Sequence, residues 1–499
     1  EMFCRLRIIM HKRSILILIL LSICSAIVHC KPQHHSQSHQ QPVLASDPNE
    51  DPLKALNLLQ QQKQFTEHFF QQNNEKLNLL GGQEIIKCFD VNFTSNVLNN
   101  IDHISKIMID GSRHFGLRLF QILNLFEPKT SSPGLVYSPI SVWSTLILTY
   151  LGSDGVTEQE LSQKLKLNQL PKPLVALAYR SLKWWKDFNV LKLMQNHTDA
   201  TQVCSANKLY INDHLLVKDC FRTIFGDEIE MKSFSSRPQE SLSEINDWVR
   251  VQTQGHIPNL LGPESISSNT NIVMINAVYF KSFWAQQFDS SKTKKQRFYV
   301  SMNEELEADM MTMDSVSVMY GISEELRASA VEIPYSNPDY SFLIILPDIT
   351  RSLDSMIRTL TWNKIQLLLQ NMYDDEVKLM IPKFRSEQEF ELAGPLFSLG
   401  IKKLFDPRYA NLNSIFMNSN NSRVALDSVI HKSFISVDEE GTEAAAATAV
   451  IFARSGRPAF PTEFIADRPF LYIIRDVSSN QLLFIGTVRR PYASQAIVA

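Results

Sequence analysis

A run of small residues near the carboxyl end most constrains what this chain can fold into. Residues 441–449 begin with glycine and contain only threonine, glutamate and alanine afterwards, before a β-branched and aromatic run. One interpretation is a short helix, since alanine is the best helix former. The alternative is a strand, whose alternating side chains would give one face made only of small residues. These are Thr442, Ala444, Ala446 and Thr448. Such a strand could enter a packed sheet without overpacking it.

The bulk composition excludes several classes of protein. The chain has 499 residues, of which 44% are hydrophobic and 20% charged, with a formal net charge of −3. Disordered, collagen-like and polytopic membrane proteins have different compositions. A strongly basic nucleic-acid binder is also excluded, because the chain has no excess of positive charge to neutralise phosphates. The length alone suggests about three domains of ~150 residues each.

The first 30 residues have the organisation of a secretory signal peptide. Four basic side chains precede an apolar run over 15–28, which is too short to span a bilayer as a helix. A signal-anchor helix is the alternative. We therefore expect residues 1–30 to be removed, the protein to be secreted and extracellular, and the mature chain to have no membrane association.

The cysteines and glycosylation motifs fit a secreted protein. Cys88, Cys204 and Cys220 remain after signal removal, which permits one disulfide and one free thiol, and the sequence leaves the pairing open. Three N-x-S/T motifs predict glycosylation. They are at Asn92, Asn196 and Asn420.

The chain divides into a polar extension and one large body. Residues 31–94 are rich in glutamine and histidine at their start and are expected to be largely disordered. Residues 95–495 mix helical and strand patterns without an internal linker, which predicts one α+β domain. Helices are expected at 97–126, 141–151, 159–165 and 353–372, and strands at 271–280, 340–346, 378–381, 424–437, 470–474 and 481–488.

Motifs for catalysis and metal binding are missing from the sequence. There is no G-x-S-x-G elbow, H-E-x-x-H helix or P-loop, and no cysteine pair at structural-zinc spacing. We therefore expect no enzyme activity, no metal and no cofactor. A secreted hydrolase with a Ser-His-Asp triad assembled from distant positions stays an alternative.

An ordered series of short motifs over about 95–491 resembles the serpins, the serine protease inhibitors that trap their targets. The motifs lie at 138–141, 207–210, 245–257, 276–284, 332–335, 382–384, 469–470 and 484–486, besides the small-residue run. Gly134 and Ser282 depart from the usual family pattern. The resemblance implies an α+β fold with about nine helices, three β-sheets and an exposed reactive-centre loop.

The resemblance also implies which residues carry function. The loop would insert into a sheet after cleavage, starting from a hinge. The hinge comprises Glu440, Gly441, Thr442, Glu443, Ala444, Ala445, Ala446, Ala447 and Thr448. A second set of residues lies in the regions that the family calls the shutter and the breach. The shutter would hold the sheet strands together by hydrogen bonds from beneath, and the breach is where the loop would enter the sheet. The set comprises Ser138, Ser141, Asn276, Trp284 and His431.

The expected target is a trypsin-like serine protease, held as a covalent acyl-enzyme by a monomeric inhibitor. Counting from Gly441 places the cleaved bond at Ser455-Gly456, or at Arg454-Ser455 if the loop is one residue shorter. We favour Arg454-Ser455, because Arg454 offers a cation to a carboxylate-bearing pocket. The alternative function is a non-inhibitory carrier or chaperone of serpin fold.

A heparin-like polyanion is a weaker expectation for a partner. Basic residues cluster at Lys292, Lys294, Lys295 and Arg297. A solvated loop between strands explains the same cluster, and we favour that interpretation.

Overall fold

The computed structural model describes residues 82–89, 101–128, 132–168, 170–195, 201–417, 424–442 and 461–491. All of them belong to one compact unit, Phe70–Ala499. The signal peptide, most of the extension, the three glycosylation motifs, the hinge from Glu443 onward and the Arg454-Ser455 bond lie outside the described residues.

Ten α-helices lie in the described ranges. They are α1 Gly82–Phe89, α2 Ile101–Phe126, α3 Pro139–Gly152, α4 Gly155–Lys164, α5 Lys172–Gln195, α6 Asp219–Phe225, α7 Pro238–Gln252, α8 Leu353–Arg358, α9 Trp362–Asn371 and α10 Ala393–Leu399. Nine of these fall within the predicted domain, as expected. Among these helices, none has both the length and the apolar character needed to cross a bilayer.

Fifteen strands complete the described part of the fold. They are β1 Val136–Tyr137, β2 Gln202–Asn212, β3 Ile229–Lys232, β4 Ile272–Phe283, β5 Lys294–Ser301, β6 Glu304–Ser323, β7 Ala328–Pro334, β8 Tyr340–Pro347, β9 Tyr373–Pro382, β10 Phe384–Glu391, β11 Ser428–Val437, β12 Gly441–Thr442, β13 Thr462–Ile465, β14 Phe470–Asp476 and β15 Gln481–Val488. The α+β class expected from the sequence is confirmed.

The strands hydrogen-bond into two continuous sheets where the family resemblance implied three. The larger sheet has the order β1-β15-β14-β8-β7-β6-β9-β13, with β5 added on β6. The smaller sheet has six strands in the order β10-β11-β12-β4-β2-β3. The 20-residue strand β6 pairs with β5, β9 and β7 in turn, and this long strand joins what would otherwise be two separate sheets.

The strand β4 is buried on both faces. On one face its side chains cluster with Ile245 and Val249 of α7. On the other face, Val278 and Phe280 pack in the same cluster as Trp284. A strand covered on both sides reads as a continuous apolar run, which is why the sequence predicted it well.

The helix expected at 353–372 is two helices, α8 and α9. Thr361 separates them, because its side chain accepts a hydrogen bond from the Lys364 N–H and starts a new helix. Ser138 begins α3 in the same way, with Pro139 in the first turn. Capping residues therefore set these boundaries more sharply than the apolar pattern does.

A disulfide fixes part of the extension to the domain. Cys88 of α1 is bonded to Cys220 of α6, with a Cα–Cα distance of 5.3 Å. Ile85 of α1 is fully buried, and α1 packs against α5 and α6. Cys204, in β2, is not part of a disulfide. The structure thus chooses one of the pairings that the sequence left open.

Removing this disulfide should destabilise the protein substantially. The bond closes a loop of 132 residues, and a loop of that length places the expected loss at about 2–5 kcal/mol of unfolding free energy for the double variant Cys88→Ser/Cys220→Ser. Urea denaturation without reductant measures this difference. Cys204→Ser is the matched control and should change stability little. Equal midpoints for the double variant and the wild type would contradict the prediction.

Candidate functional site

The candidate site is the seam between β4 and β11 in the six-stranded sheet. These strands pair directly and in parallel, from Ser428 opposite Val273 to Phe434 opposite Tyr279. Beyond that point they separate, and β12 lies between them. Thr442 of β12 is antiparallel to both neighbours, opposite Val437 of β11 and Ser282 of β4. The start of the hinge is therefore already a strand of the sheet.

A tight turn brings the chain back from β11 into the sheet. The Asp438 N–H donates to the Gly441 carbonyl at 2.9 Å, and the Asp438 carboxylate accepts the N–H groups of Glu440 and Gly441. Trp284 supports the turn twice, donating its ring N–H to the Asp438 carbonyl and its backbone N–H to the Glu440 carbonyl, both at 2.9 Å. Burial raises the pKa of Asp438 against the effect of its two backbone hydrogen bonds.

Glu439 anchors the same turn to the neighbouring strands. Its carboxylate lies 2.7 Å from the Lys383 ammonium and accepts the Thr293 hydroxyl, also at 2.7 Å. Partial burial acts to raise the pKa of Glu439, but these two hydrogen bonds hold it below its ordinary value. The carboxylate therefore stays ionised and paired at neutral pH.

Gly441 and Thr442 show why this hinge begins with small residues. A Cβ at Gly441 would lie 2.1 Å from the Ser282 carbonyl oxygen, so only glycine fits there. Thr442 is fully buried, and its hydroxyl lies 2.7 Å from the Tyr335 hydroxyl. The Tyr335 ring is stacked on Trp284 with centroids 4.8 Å apart. Thr442 thus fills a closed slot under the turn.

The residues predicted for the shutter come together under the seam. His431 faces Asn276 across the paired strands, and its Nε2 accepts the Ser138 backbone N–H at 3.2 Å. Ser141 donates to the Asn207 side chain, and Thr145 donates to Asn276. Side chains from α3, β2, β4 and β11 therefore form one polar group inside the core.

Sequence reasoning did not assign Asn207 or Thr145 to the shutter, although Asn207 begins one of the family motifs. Both were accessible in principle: Thr145 lies four residues after Ser141 and so shares its face of α3. Asn207 is directly opposite Asn276 in the antiparallel pair of β2 and β4. Asn207 could be recognised only with that register known, whereas Thr145 could have been found from the spacing along α3.

Two buried donors at the seam lack acceptors in the part of the chain that the structure describes. Because His431 accepts at Nε2, its proton is assigned to Nδ1, and Nδ1 has no hydrogen-bond partner among the described residues. The same holds within that part of the chain for the Asn276 amide nitrogen. Both side chains are 0% exposed. The seam therefore presents two unsatisfied N–H donors at the same level of the sheet.

The buried His431 should make stability depend on pH. Desolvation lowers its pKa to about 3 in the folded protein, whereas an unfolded histidine titrates near ~6.5. The unfolded state binds more protons below ~6.5, so this contribution is fully present above that pH and is lost as pH falls toward 3, by up to about 1.4 kcal/mol per pH unit.

Urea denaturation of the wild type and His431→Gln at pH 7.5 and 5 measures this effect. Glutamine keeps a hydrogen-bond acceptor but does not titrate. We expect the wild type to lose more stability than the variant between the two pH values. Identical losses would show that His431 is not the responsible group.

The basic cluster at 292–297 is balanced by carboxylates. Lys292 lies 2.6 Å from Asp314, and Lys295 and Arg297 form longer ion pairs with Asp309 and Glu305. The cluster is solvated, as expected, but it is not a loop between strands: Lys294, Lys295 and Arg297 are exposed residues of strand β5.

Gly441 and Thr442, the described part of the small-residue hinge, lie buried in the six-stranded sheet. This arrangement defines a class of protein, and comparison with known proteins identifies the same class. The family model "Serpin (serine protease inhibitor)" matches residues 110–491. Serine protease inhibitor 88Ea of Drosophila melanogaster is 31% identical over 398 residues, covering 76% of this chain and 90% of that protein. The chain belongs to the serpin family, most of whose members are protease inhibitors rather than catalytic enzymes.

Solved structures agree with this assignment. Maspin is 26% identical, with a TM-score of 0.68 over 78% of this chain and 100% of its own. Thyroxine-binding globulin in complex with thyroxine has a TM-score of 0.65 at 23% identity, over 77% and 100% of the two chains. At that identity the second likeness shows the fold alone. The family resemblance drawn from the sequence is confirmed.

Proposed function

We propose that this serpin is a secreted suicide inhibitor of trypsin-like serine proteases. The observation that carries the proposal is β12, the start of the hinge, lying between β4 and β11 in antiparallel register. Below β12 the seam is closed, because β4 and β11 pair directly with each other from Phe434 and Tyr279 downward. Insertion would have to open these pairs. A cleaved loop could continue β12 as a full strand.

The register of β12 predicts where each later loop residue would go. Each step along the loop moves one residue back along both neighbours, so six steps beyond Thr442 bring Thr448 opposite His431 and Asn276. Thr448 would share the core-facing side with Thr442 because side chains alternate. Its hydroxyl and the adjacent carbonyls would supply acceptors to the two unsatisfied donors. Insertion would thereby satisfy two buried N–H donors that lack hydrogen bonds to described residues before cleavage.

The remaining hinge residues suit the same path. Ala444 would lie opposite Phe280 and Ile435, where only a small side chain fits between large neighbours. Glu443 would point to the other face, opposite Lys281. Roughly a dozen strand residues, at about 0.5–1.5 kcal/mol per hydrogen bond, would supply on the order of 10 kcal/mol.

The bond-breaking step of the proposed trapping reaction uses the catalytic serine of the target protease as the nucleophile. The protease serine would attack the Arg454 carbonyl carbon, and the Ser455 nitrogen would leave as an amine after protonation, giving an acyl-enzyme. Insertion of the freed loop as a strand would then carry the bound protease across the inhibitor and distort its active site. Arg454 matches proteases with a carboxylate in the specificity pocket. Ser455-Gly456 is the alternative bond.

Secretion is supported by two features of the chain. The 30-residue leader has the pattern of a signal peptide. The Cys88–Cys220 disulfide requires an oxidising compartment. Detection of the protein in culture medium, with a new amino terminus near residue 31, would test this part of the proposal.

Incubation with trypsin tests the inhibitory function. We expect an SDS-resistant complex and a released fragment whose amino-terminal sequence starts at Ser455. Arg454→Ala should lower the rate of trypsin inhibition by at least about 100-fold, because the pocket carboxylate is left unpaired. Arg457→Ala is the matched control. Complete cleavage without any complex would contradict inhibition. A fragment that starts at Gly456 would show that Ser455-Gly456 is the reactive bond.

A further inference from the structure

A cavity of about 380 Å³ lies at the meeting point of α2, the end of α4 and the end of α10. Four basic side chains line it: His114, Arg118, Lys164 and Lys166. No aspartate or glutamate of the described residues is part of the lining. We propose that this cavity binds a compact phosphate or sulfate ester. The proposal shares no residue with the hinge and does not depend on inhibition.

Lys164 and Lys166 are held at the cavity by packed turns of the backbone. The turn that carries Lys166 follows α4. Lys166 has a φ of 61°, a left-handed conformation that glycine adopts more readily. The Leu167 N–H closes this turn on the Ser162 carbonyl at 2.7 Å. Helix α2 clamps the turn through Gly111, where a Cβ would lie 2.6 Å from the Leu165 carbonyl oxygen. Lys166 therefore occupies a turn position where glycine would be favoured.

Lys164 is placed by a second turn of the same kind. Gly400 follows α10 with φ of 101°, and a Cβ there would lie 2.7 Å from the Lys164 ammonium nitrogen. The ammonium group therefore rests against the Gly400 backbone at the edge of the cavity. Two helix-ending turns from distant parts of the chain converge on the same space.

The preference of cations for helix carboxyl ends explains only some of the basic residues around the cavity. Lys164 lies in the last turn of α4, where a cation is favoured by the helix dipole. His114 and Arg118 lie in the middle of α2, where no such effect operates. Arg118 donates to the neutral side chain of Gln121 at 3.0 Å, and His114 directs Nδ1 toward Asp110. A cleft lined by charges of one sign concentrates counter-ions.

The residues that line the cavity also indicate the chemistry of the ligand. A guanidinium binds two oxygens of a phosphate or sulfate at once, and lysines add point charges. Phe115, 2% exposed, and Leu399 provide apolar surface beside these cations. The volume is near the lower limit for small-molecule sites. A dianionic or monoanionic ester with a small apolar body fits both the charge and the size.

Calorimetric titration of the full chain tests the proposal, with phenyl phosphate and phenyl sulfate as probes at constant ionic strength. We expect saturable binding of at least one ester with a Kd of about 1 mM or below. The stronger of the two probes distinguishes a phosphate source from a sulfate source. Benzyl alcohol is the uncharged control. No saturation by either ester, or equal binding of benzyl alcohol, overturns the proposal.

Two variants tie the binding to the cavity. Arg118→Gln and Lys166→Gly should each weaken binding by about tenfold or more. Lys166→Gly keeps the left-handed turn, so the ligand-free protein should melt at the wild-type temperature or above it. Arg222→Gln, at an exposed arginine of α6 outside the lining, is the matched control. Unchanged affinity in both cavity variants contradicts the proposal.

Discussion

Thr442→Arg is expected to turn the inhibitor into a substrate, so that trypsin cleaves it completely and no SDS-resistant complex forms. Thr442 is fully buried between Val437 and Ser282, with its hydroxyl on Tyr335. An unpaired guanidinium in that slot would cost several kcal/mol. Arginine at position 442 could not keep its place between the strands, so the loop could not insert from there, and water would hydrolyse the acyl-enzyme before the protease is distorted. The ratio of cleaved inhibitor to complex on a denaturing gel measures this.

Glu443→Arg is the matched control for this variant. It introduces the same side chain one residue later, on the face that alternation directs away from the core. Complex formation should persist at near the wild-type yield. If Thr442→Arg also formed complex in wild-type yield, the buried position of Thr442 would be irrelevant to trapping, and insertion along the β12 register would be the wrong mechanism.

Cleavage of the reactive loop is expected to raise the melting temperature by roughly 10 °C. On the order of 10 kcal/mol from new strand hydrogen bonds, divided by an unfolding entropy of about 0.8 kcal/mol/K for a ~400-residue domain, gives this shift. The wild type should be nicked within 443–455 by a protease that is not trapped, and then compared with intact protein by calorimetry.

The same measurement separates an inhibitor from a carrier. Cleaved Thr442→Arg should melt close to its intact form, because its loop cannot enter the sheet. A non-inhibitory serpin-fold carrier would show no gain in the wild type either. A wild type that is nicked in the loop and does not gain stability would therefore remove the basis for the proposed inhibition.

The small residues of the hinge could be recognised from the sequence, but its position could not. Alternation alone placed Thr442 on a face of small side chains. The burial of Thr442 depends on a turn held by Trp284, more than 150 residues earlier in the chain, which donates to Asp438. No local pattern contains that contact. The family resemblance implied an exposed loop that starts from the hinge, whereas Gly441 and Thr442 of the hinge already form a strand of the sheet.

The other gaps also arise from long-range packing. Three cysteines left the disulfide open, since Cys88 and Cys220 meet only through the packing of α1 on α6. Ser138 and His431 were assigned to the shutter from the family resemblance, whereas Thr145 joins it because α3 packs on β4, where Thr145 donates to Asn276. Long apolar strands such as β4 and β11 were predicted well because burial on both faces leaves a continuous pattern.

The Cys88–Cys220 bond has a consequence for proteolytic processing of the amino-terminal segment. If a protease cuts the chain between Phe89 and Ile101, the segment ending at the cut stays attached through Cys88. The nicked protein keeps its full mass on a gel without reductant and separates into two pieces only after reduction. The segment would then travel with the inhibitor as a covalently attached passenger, wherever the complex with its protease is carried.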